Sequence, residues 1–122
     1  MRAKVVKVAI AEDEPSVRII YARILSDSGF SVMSFEDGER LVEFIEKNTD
    51  LTEVPDVIIT DYRMPKMDGI QAAHAIRATK PAVKVILASA YDVPKDAVGL
   101  FDVILKKPFG KKELLEAVSR CL

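Results

Sequence analysis

Val57-Ile58-Ile59-Thr60 is a β-branched run that ends on an acid, Asp61. It shows no alternation between apolar and polar positions. Two further runs share its texture, Val5–Ala11 and Val83–Ala88. Near-continuous apolar runs of this length read as strands buried on both faces, the signature of a parallel sheet. Ser31–Phe35 and Val103–Lys106 are weaker strand candidates.

Helical patterns lie between these runs. Val17, Ile20, Tyr21 and Ile24 form one apolar stripe, with Pro15 suited to the first turn and Gly29 placed to end the helix. Leu41, Val42 and Ile45 follow Asp37-Gly38. Asp68 and Gln71 have capping-box spacing ahead of Ala72, Ala73 and Ile76. Leu114, Leu115, Val118 and Cys121 mark a final helix, with Glu113 near its start. Strand and helix alternate throughout, which predicts an open α/β sheet with helices on both faces. Tyr91–Asp102 holds Pro94 and Gly99, so any helix there is a turn or two long.

The chain has 122 residues, enough for a single domain spanning 1–122. Its net charge of −1 offers no electrostatic case for direct nucleic-acid contact. No apolar run approaches the ~20 residues that span a bilayer, so no membrane insertion is expected. The single cysteine, Cys121, suits a reducing compartment, and the expected setting is cytoplasmic.

Ligands of open parallel sheets bind beyond the carboxyl ends of the strands. The first strand delivers Glu12, Asp13 and Glu14 there; Asp61, Ser89 and Lys107 follow the third, fourth and fifth. Clustered carboxylates repel unless a proton or a cation intervenes. An all-oxygen, acid-rich site suits a hard cation, and Mg²⁺, which keeps several waters, matches a few carboxylates better than Ca²⁺ does. A lysine and a hydroxyl opposite the metal suit a phosphoryl group. Asp61 is then the nucleophile, phosphorylated in line to an acyl phosphate.

The chain resembles the response-regulator receiver domains, the family of the chemotaxis protein CheY. The resemblance rests on Glu12-Asp13, Val57 to Asp61 followed by Met64-Pro65-Lys66-Met67-Asp68-Gly69, then Ser89-Ala90, then Lys107-Pro108-Phe109. These motifs run in family order over nearly the whole chain. The resemblance implies a flavodoxin-like five-stranded parallel sheet of order 2-1-3-4-5. It makes Asp61 the phosphoacceptor and Mg²⁺ the cofactor. Asp13 and Asp61 would ligate the metal directly, Glu12 mainly through water, and Arg63 through its backbone carbonyl. Ser89 would move toward the phosphoryl group and Lys107 would pair with it, and the Lys107–Pro108 bond would be cis. The implied partners are a sensor histidine kinase or phosphotransfer protein, and an output protein or an effector domain beyond the chain.

Other assignments for these residues carry less. Glu14 and Lys106 read as solvated charges, because strand alternation lets only one of Lys106 and Lys107 face the site. His74, mid-helix between alanines, reads as an exposed helix residue rather than a phosphohistidine carrier. An aspartyl-phosphate enzyme commonly has a general acid two residues after its nucleophile, where this chain has Arg63. A flavodoxin-type binding loop would offer Ser, Thr and Gly donors, whereas Glu12-Asp13-Glu14-Pro15 repels an anion.

Two features depart from the family pattern. Ile104 stands three residues before Lys107, where an aromatic is usual, so the familiar hydroxyl–aromatic coupling has no ring to act on. The interval from Ser89 to Lys107 is short by roughly one helical turn, which predicts a stunted or irregular fourth helix and an altered partner contact. Arg63 is expected at the rim of the site.

Overall fold

The computed structural model describes residues 4–122. Five parallel strands form one sheet in the order β2-β1-β3-β4-β5: β1 Lys7–Ala11, β2 Ser31–Phe35, β3 Val57–Asp61, β4 Lys84–Ser89 and β5 Val103–Lys106. Four α-helices connect or follow them: α1 Pro15–Asp27, α2 Gly38–Lys47, α3 Gly69–Thr79 and α4 Lys111–Arg120. A single 3₁₀ turn, Val98–Leu100, is all the helix between β4 and β5, as the short interval predicts. Among the described residues no helix is long and apolar enough to cross a membrane.

Alternation along the buried strands builds two cores. Ala9, Ala11, Ile58, Val85 and Leu87 point to one face, against Leu41 and Ile45 of α2 and Ala72, Ala73 and Ile76 of α3. Val8, Ile10, Val57, Ile59 and Ile86 point to the other, against Leu25 of α1 and Leu114, Ala117 and Val118 of α4. Each fully buried aliphatic side chain contributes roughly 1.5–3 kcal/mol. Two-sided burial is therefore what the unalternating apolar runs encode.

The helix ends follow the sequence signals. Pro15 opens α1, and Gly29, at φ +94°, takes the left-handed position just beyond its end. The Asp37 side chain accepts from the Arg40 amide at 2.8 Å. Asp68 and Gln71 form the reciprocal box, at 2.8 and 2.9 Å. At α4 the Glu113 carboxylate accepts from the Gly110 amide at 2.9 Å.

The α1 stripe is corrected in one member. Ile20 is 55% exposed, and Leu25 takes the core position instead. Val17, Tyr21 and Leu25 run along one line of the helix, and Ile20 lies roughly a quarter-turn away from it. The strand limits shift as well. β1 begins at Lys7 rather than Val5, β3 extends by one residue to Asp61, and β4 shifts by one residue, starting at Lys84 rather than Val83 and ending at Ser89. Both polar residues are thus held by strand pairing rather than by a loop.

Candidate functional site

The chain leaves β1 toward β2 on one side and returns to β3 on the other. The carboxyl ends of β1 and β3 therefore flank the point where winding reverses, and a crevice opens there. Glu12 and Asp13 follow β1, Asp61 ends β3, and Lys107 directly follows β5. Their side chains meet. Glu12, Asp13 and Asp61 each offer a carboxylate oxygen, all within 4.8 Å of one another. Lys107 Nζ lies 2.7 Å from Asp61 Oδ1 and 3.3 Å from Glu12 Oε1. Lys106 points away and approaches the exposed Asp92 at 3.6 Å, so alternation has separated the two lysines.

Burial makes these charges costly. Glu12 is 2% exposed. Its carboxylate accepts from the Glu14 amide at 3.2 Å, and its carbonyl accepts from Arg18 Nη1 at 2.7 Å. Burial, and then the charge of Asp61, push the Glu12 pKa above the ordinary carboxylate value. Burial alone would lower the pKa of Lys107. The hydrogen bond and charge of Asp61, aided by Glu12, outweigh it and hold the ammonium above its usual value. Three carboxylates against one ammonium leave the crevice with an excess of negative charge.

The other wall is aromatic. Tyr21 of α1 stacks on Phe109 with ring centroids 5.3 Å apart, clasping the segment that carries Lys107. Burial raises the Tyr21 pKa against the opposing pull of Lys107. The Lys107–Pro108 bond is cis.

Ser89 is buried at the end of β4, beside β5. Its hydroxyl donates to the Tyr91 carbonyl at 2.8 Å and accepts from the Tyr91 amide at 2.9 Å. It thus stands where the sequence reading puts it, but its partners are on the following turn rather than on the acids. Arg63 lines an open polar cavity of about 440 Å³ together with Asp13, Lys66 and Gln71, at the rim of the acid cluster. Its guanidinium carbon sits 5.2 Å from the Tyr62 ring centroid and 4.9 Å from that of Tyr91. His74 is exposed on α3, away from the crevice.

Two contributors, Arg18 and Tyr91, escape the sequence reading, and a third, Gly69, is quoted there in a motif without a role. Gly69 donates to the Tyr62 carbonyl at 2.8 Å and brings the start of α3 against the end of β3. A Cβ there would lie 2.5 Å from the Asp61 carbonyl oxygen, so only glycine permits this approach. Its place directly after the Asp68 cap is the signal that could have found it. Arg18 and Tyr91 carry no such signal, since exposed arginines and turn tyrosines are common.

Comparison with known proteins follows the same lines. The model of the response regulator receiver domain family matches residues 8–119. The chain is 33% identical over 118 residues to the DNA-binding transcriptional regulator NtrC of Klebsiella pneumoniae. That match covers 93% of the chain but 24% of NtrC, so the chain spans about a quarter of that relative's length. Among solved structures, it is 35% identical to the signal receiver domain of the response regulator NarL from Mycobacterium tuberculosis, with a TM-score of 0.82 and coverage of 98% and 97%. It is 27% identical to the response regulator TrrA from Thermotoga maritima, solved in complex with Mg²⁺-BeF, with a TM-score of 0.83 and coverage of 97% and 100%.

Proposed function

The chain belongs to the response-regulator receiver domain family, and on that premise we propose that Asp61 is the phosphoacceptor of a two-component phosphorelay. The observation that carries the reading is the meeting of Glu12, Asp13 and Asp61 around one point, with Lys107 bonded to Asp61. The donor is a phosphohistidine on a sensor histidine kinase or a phosphotransfer protein.

The acid cluster fits Mg²⁺, since oxygen donors and an excess of negative charge favour a hard divalent cation. Asp13 and Asp61 would hold it directly, Glu12 through water and Arg63 through its carbonyl oxygen. TrrA, similar in fold and sequence, was solved with Mg²⁺-BeF. When bound, the ion supplies positive charge against the oxygens of the incoming phosphoryl group.

An Asp61 carboxylate oxygen attacks phosphorus. The new O–P bond forms as the P–N bond to the donor imidazole breaks, and the departing nitrogen keeps the electron pair and takes up a proton. Lys107 neutralises charge on the phosphoryl oxygens, and Ser89 donates a hydrogen bond to them. Hydrolysis reverses the modification: water attacks phosphorus, the Asp61 O–P bond breaks, and the carboxylate returns. The chain thus catalyses its own modification and its reset, and the added charge alters affinity for an output protein or effector domain. The free Cys121 accords with a cytoplasmic setting.

Acetyl phosphate with Mg²⁺ tests the reading. Intact-mass measurement should show one added phosphate, hydroxylamine should remove it, and Asp61→Asn should not acquire it. Stable labelling of the Asn variant at the same position would overturn the assignment.

A further inference from the structure

Arg18 stands where its charge is poorly placed. It closes the first turn of α1, which opens at Pro15 and carries no acid in that turn. The helix dipole disfavours a cation there. Among the described residues no ion pair includes Arg18. Its side-chain bond runs backward instead: Nη1 donates to the Glu12 carbonyl, six residues earlier, at 2.7 Å. Helical side chains lean toward the start of their helix, so the half-buried arginine makes this reach without distortion.

That carbonyl belongs to the peptide joining Glu12 to Asp13. A peptide is planar, so the guanidinium holds the Asp13 amide together with the Glu12 oxygen. The other bonds around the loop act on Glu12: its amide donates to the Phe35 carbonyl at 3.2 Å, and its carboxylate accepts from the Glu14 amide at 3.2 Å. Asp61 is fixed by strand pairing and by Lys107 at 2.7 Å. Asp13 has neither aid. It is exposed at the edge of the open polar cavity, and among the described residues no ion pair holds its carboxylate. Where that carboxylate stands is set by the backbone that carries it, and Arg18 is the side chain bonded to that backbone.

We propose that Arg18 is a positioning residue for the divalent-cation site: its bond to the Glu12 carbonyl fixes the Glu12–Asp13 peptide and so places the Asp13 carboxylate for the ion. The inference rests on the reading of Asp13 and Asp61 as direct ligands of Mg²⁺. The bond carries the effect, and the charge opposes it. A guanidinium near the acids repels an incoming cation, so as a bare charge Arg18 would weaken metal binding. Removing a bare charge would therefore tighten Mg²⁺ binding, whereas removing a positioning bond loosens it. The two accounts differ in sign, and groups that orient a ligand from behind commonly govern metal affinity by 10–100-fold.

Titration of the full chain with Mg²⁺, followed by heteronuclear NMR shifts of Asp13, Asp61 and the Lys107 side chain, tests this. Arg18→Met keeps the apolar stem and removes the donor. Its Mg²⁺ affinity should fall by roughly 10–100-fold, and without metal the order parameter of the Asp13 amide should drop. Arg18→Lys keeps the charge with a different reach and should fall between Arg18→Met and the parent. Arg23→Met removes an exposed charge from the same helix and should stay within about twofold of the parent. Acetyl phosphate labelling of Arg18→Met should be slow at low Mg²⁺ and regain the parent's rate at saturation, a recovery that general damage to the fold would not give. An Arg18→Met affinity equal to the parent's or tighter overturns the proposal and leaves the phosphoacceptor reading standing, as does labelling that stays slow at saturating Mg²⁺. Should Arg18→Met fail to fold, Arg18→Lys decides by the same sign, with affinity below the parent's expected and equal or tighter affinity overturning the proposal. If Asp13 and Asp61 of the parent do not respond to Mg²⁺, their reading as ligands falls, and the proposal falls with it.

Discussion

Replacing Gly69 by alanine tests how closely the end of β3 depends on α3. The added Cβ would sit 2.5 Å from the Asp61 carbonyl oxygen, 2.7 Å from Leu87 Cδ1 and 3.1 Å from Tyr62 Cα. Two of these neighbours are backbone, and the third is the tip of a fully buried leucine. None can swing aside without moving the strand end or the core beneath it. Overpacking of this kind costs about 1–3 kcal/mol. Alanine gains back at most about 1 kcal/mol relative to glycine, through helix propensity and a less flexible unfolded chain.

The balance is a loss of about 1–2 kcal/mol, which lowers the urea midpoint by roughly 0.5–1 M at a slope typical of a small domain. Because the atoms displaced belong to Asp61 and Tyr62, labelling by acetyl phosphate should also slow, by about tenfold or more. Gly99→Ala is the control, since a Cβ there has nothing within 4 Å. Its midpoint should hold or rise slightly. Urea titration followed by fluorescence and circular dichroism reads the first quantity, and intact-mass time courses read the second. A Gly69→Ala midpoint equal to the parent's, with normal labelling, would refute the claim that this contact fixes the acceptor.

Two further expectations concern the end of the molecule away from the acids. Arg77 of α3 donates to the Leu100 carbonyl from Nε at 3.0 Å and from Nη2 at 2.8 Å, to Asp102 at 2.9 Å and to the Val83 carbonyl at 3.1 Å. Arg77→Ala strands two of those carbonyls, so it should cost about 2–3 kcal/mol and speed amide exchange most in residues 98–102; an unchanged exchange pattern there would count against the strut. The Asp102 carboxylate pays a burial penalty, but the Val85 amide and Arg77 more than offset it and hold its pKa below the ordinary value. A depressed folded pKa gives stability that is present above the unfolded value of 3.8 and lost as pH falls through the folded one. The parent's urea midpoint should therefore drop as pH falls below about 4, and Asp102→Asn should start lower and show a flatter acid limb; identical acid slopes for the two would contradict this.

The acids and the lysine were legible because strand ends are legible. A β-branched run announces a buried parallel strand, its last residue falls at the sheet's carboxyl edge, and the chemistry of Asp13, Asp61 and Lys107 follows from where those edges meet. The Asp68 cap was readable for a similar local reason, the acid bonding an amide three residues ahead. Ile20 was misread because spacing alone cannot place the centre of an apolar stripe, and only the packed sheet selects Leu25. The two hydrogen bonds between Ser89 and Tyr91, the stack of Tyr91 on Arg63 and the reach of Arg77 to Leu100 were illegible. Each joins a side chain to a turn whose path is set by tertiary packing, and no periodicity in the sequence encodes that path.

The electrostatics of the crevice impose an order on events. Glu12 is sealed from water, and burial together with the charge of Asp61 raises its pKa above the ordinary carboxylate value. Lys107 is the ammonium that the two acids share, and it cannot balance both of them and Asp13 as well. A phosphoryl group brought to this cluster unaccompanied would meet net repulsion at short range, where low dielectric magnifies it. On the proposed reading, a divalent cation held by Asp13 and Asp61 would have to be in place before the donor engages, and Lys107 would be the chief positive charge facing a modified Asp61 once the ion had left. On this account the acids serve as a gate set by charge, and shape alone does not admit the donor. In the unmodified site the carboxylates of Glu12 and Asp61 already have Lys107 and the Glu14 amide as donors, while Arg18 bonds only the Glu12 backbone carbonyl, so a new anionic acceptor would have to draw on donors outside that set.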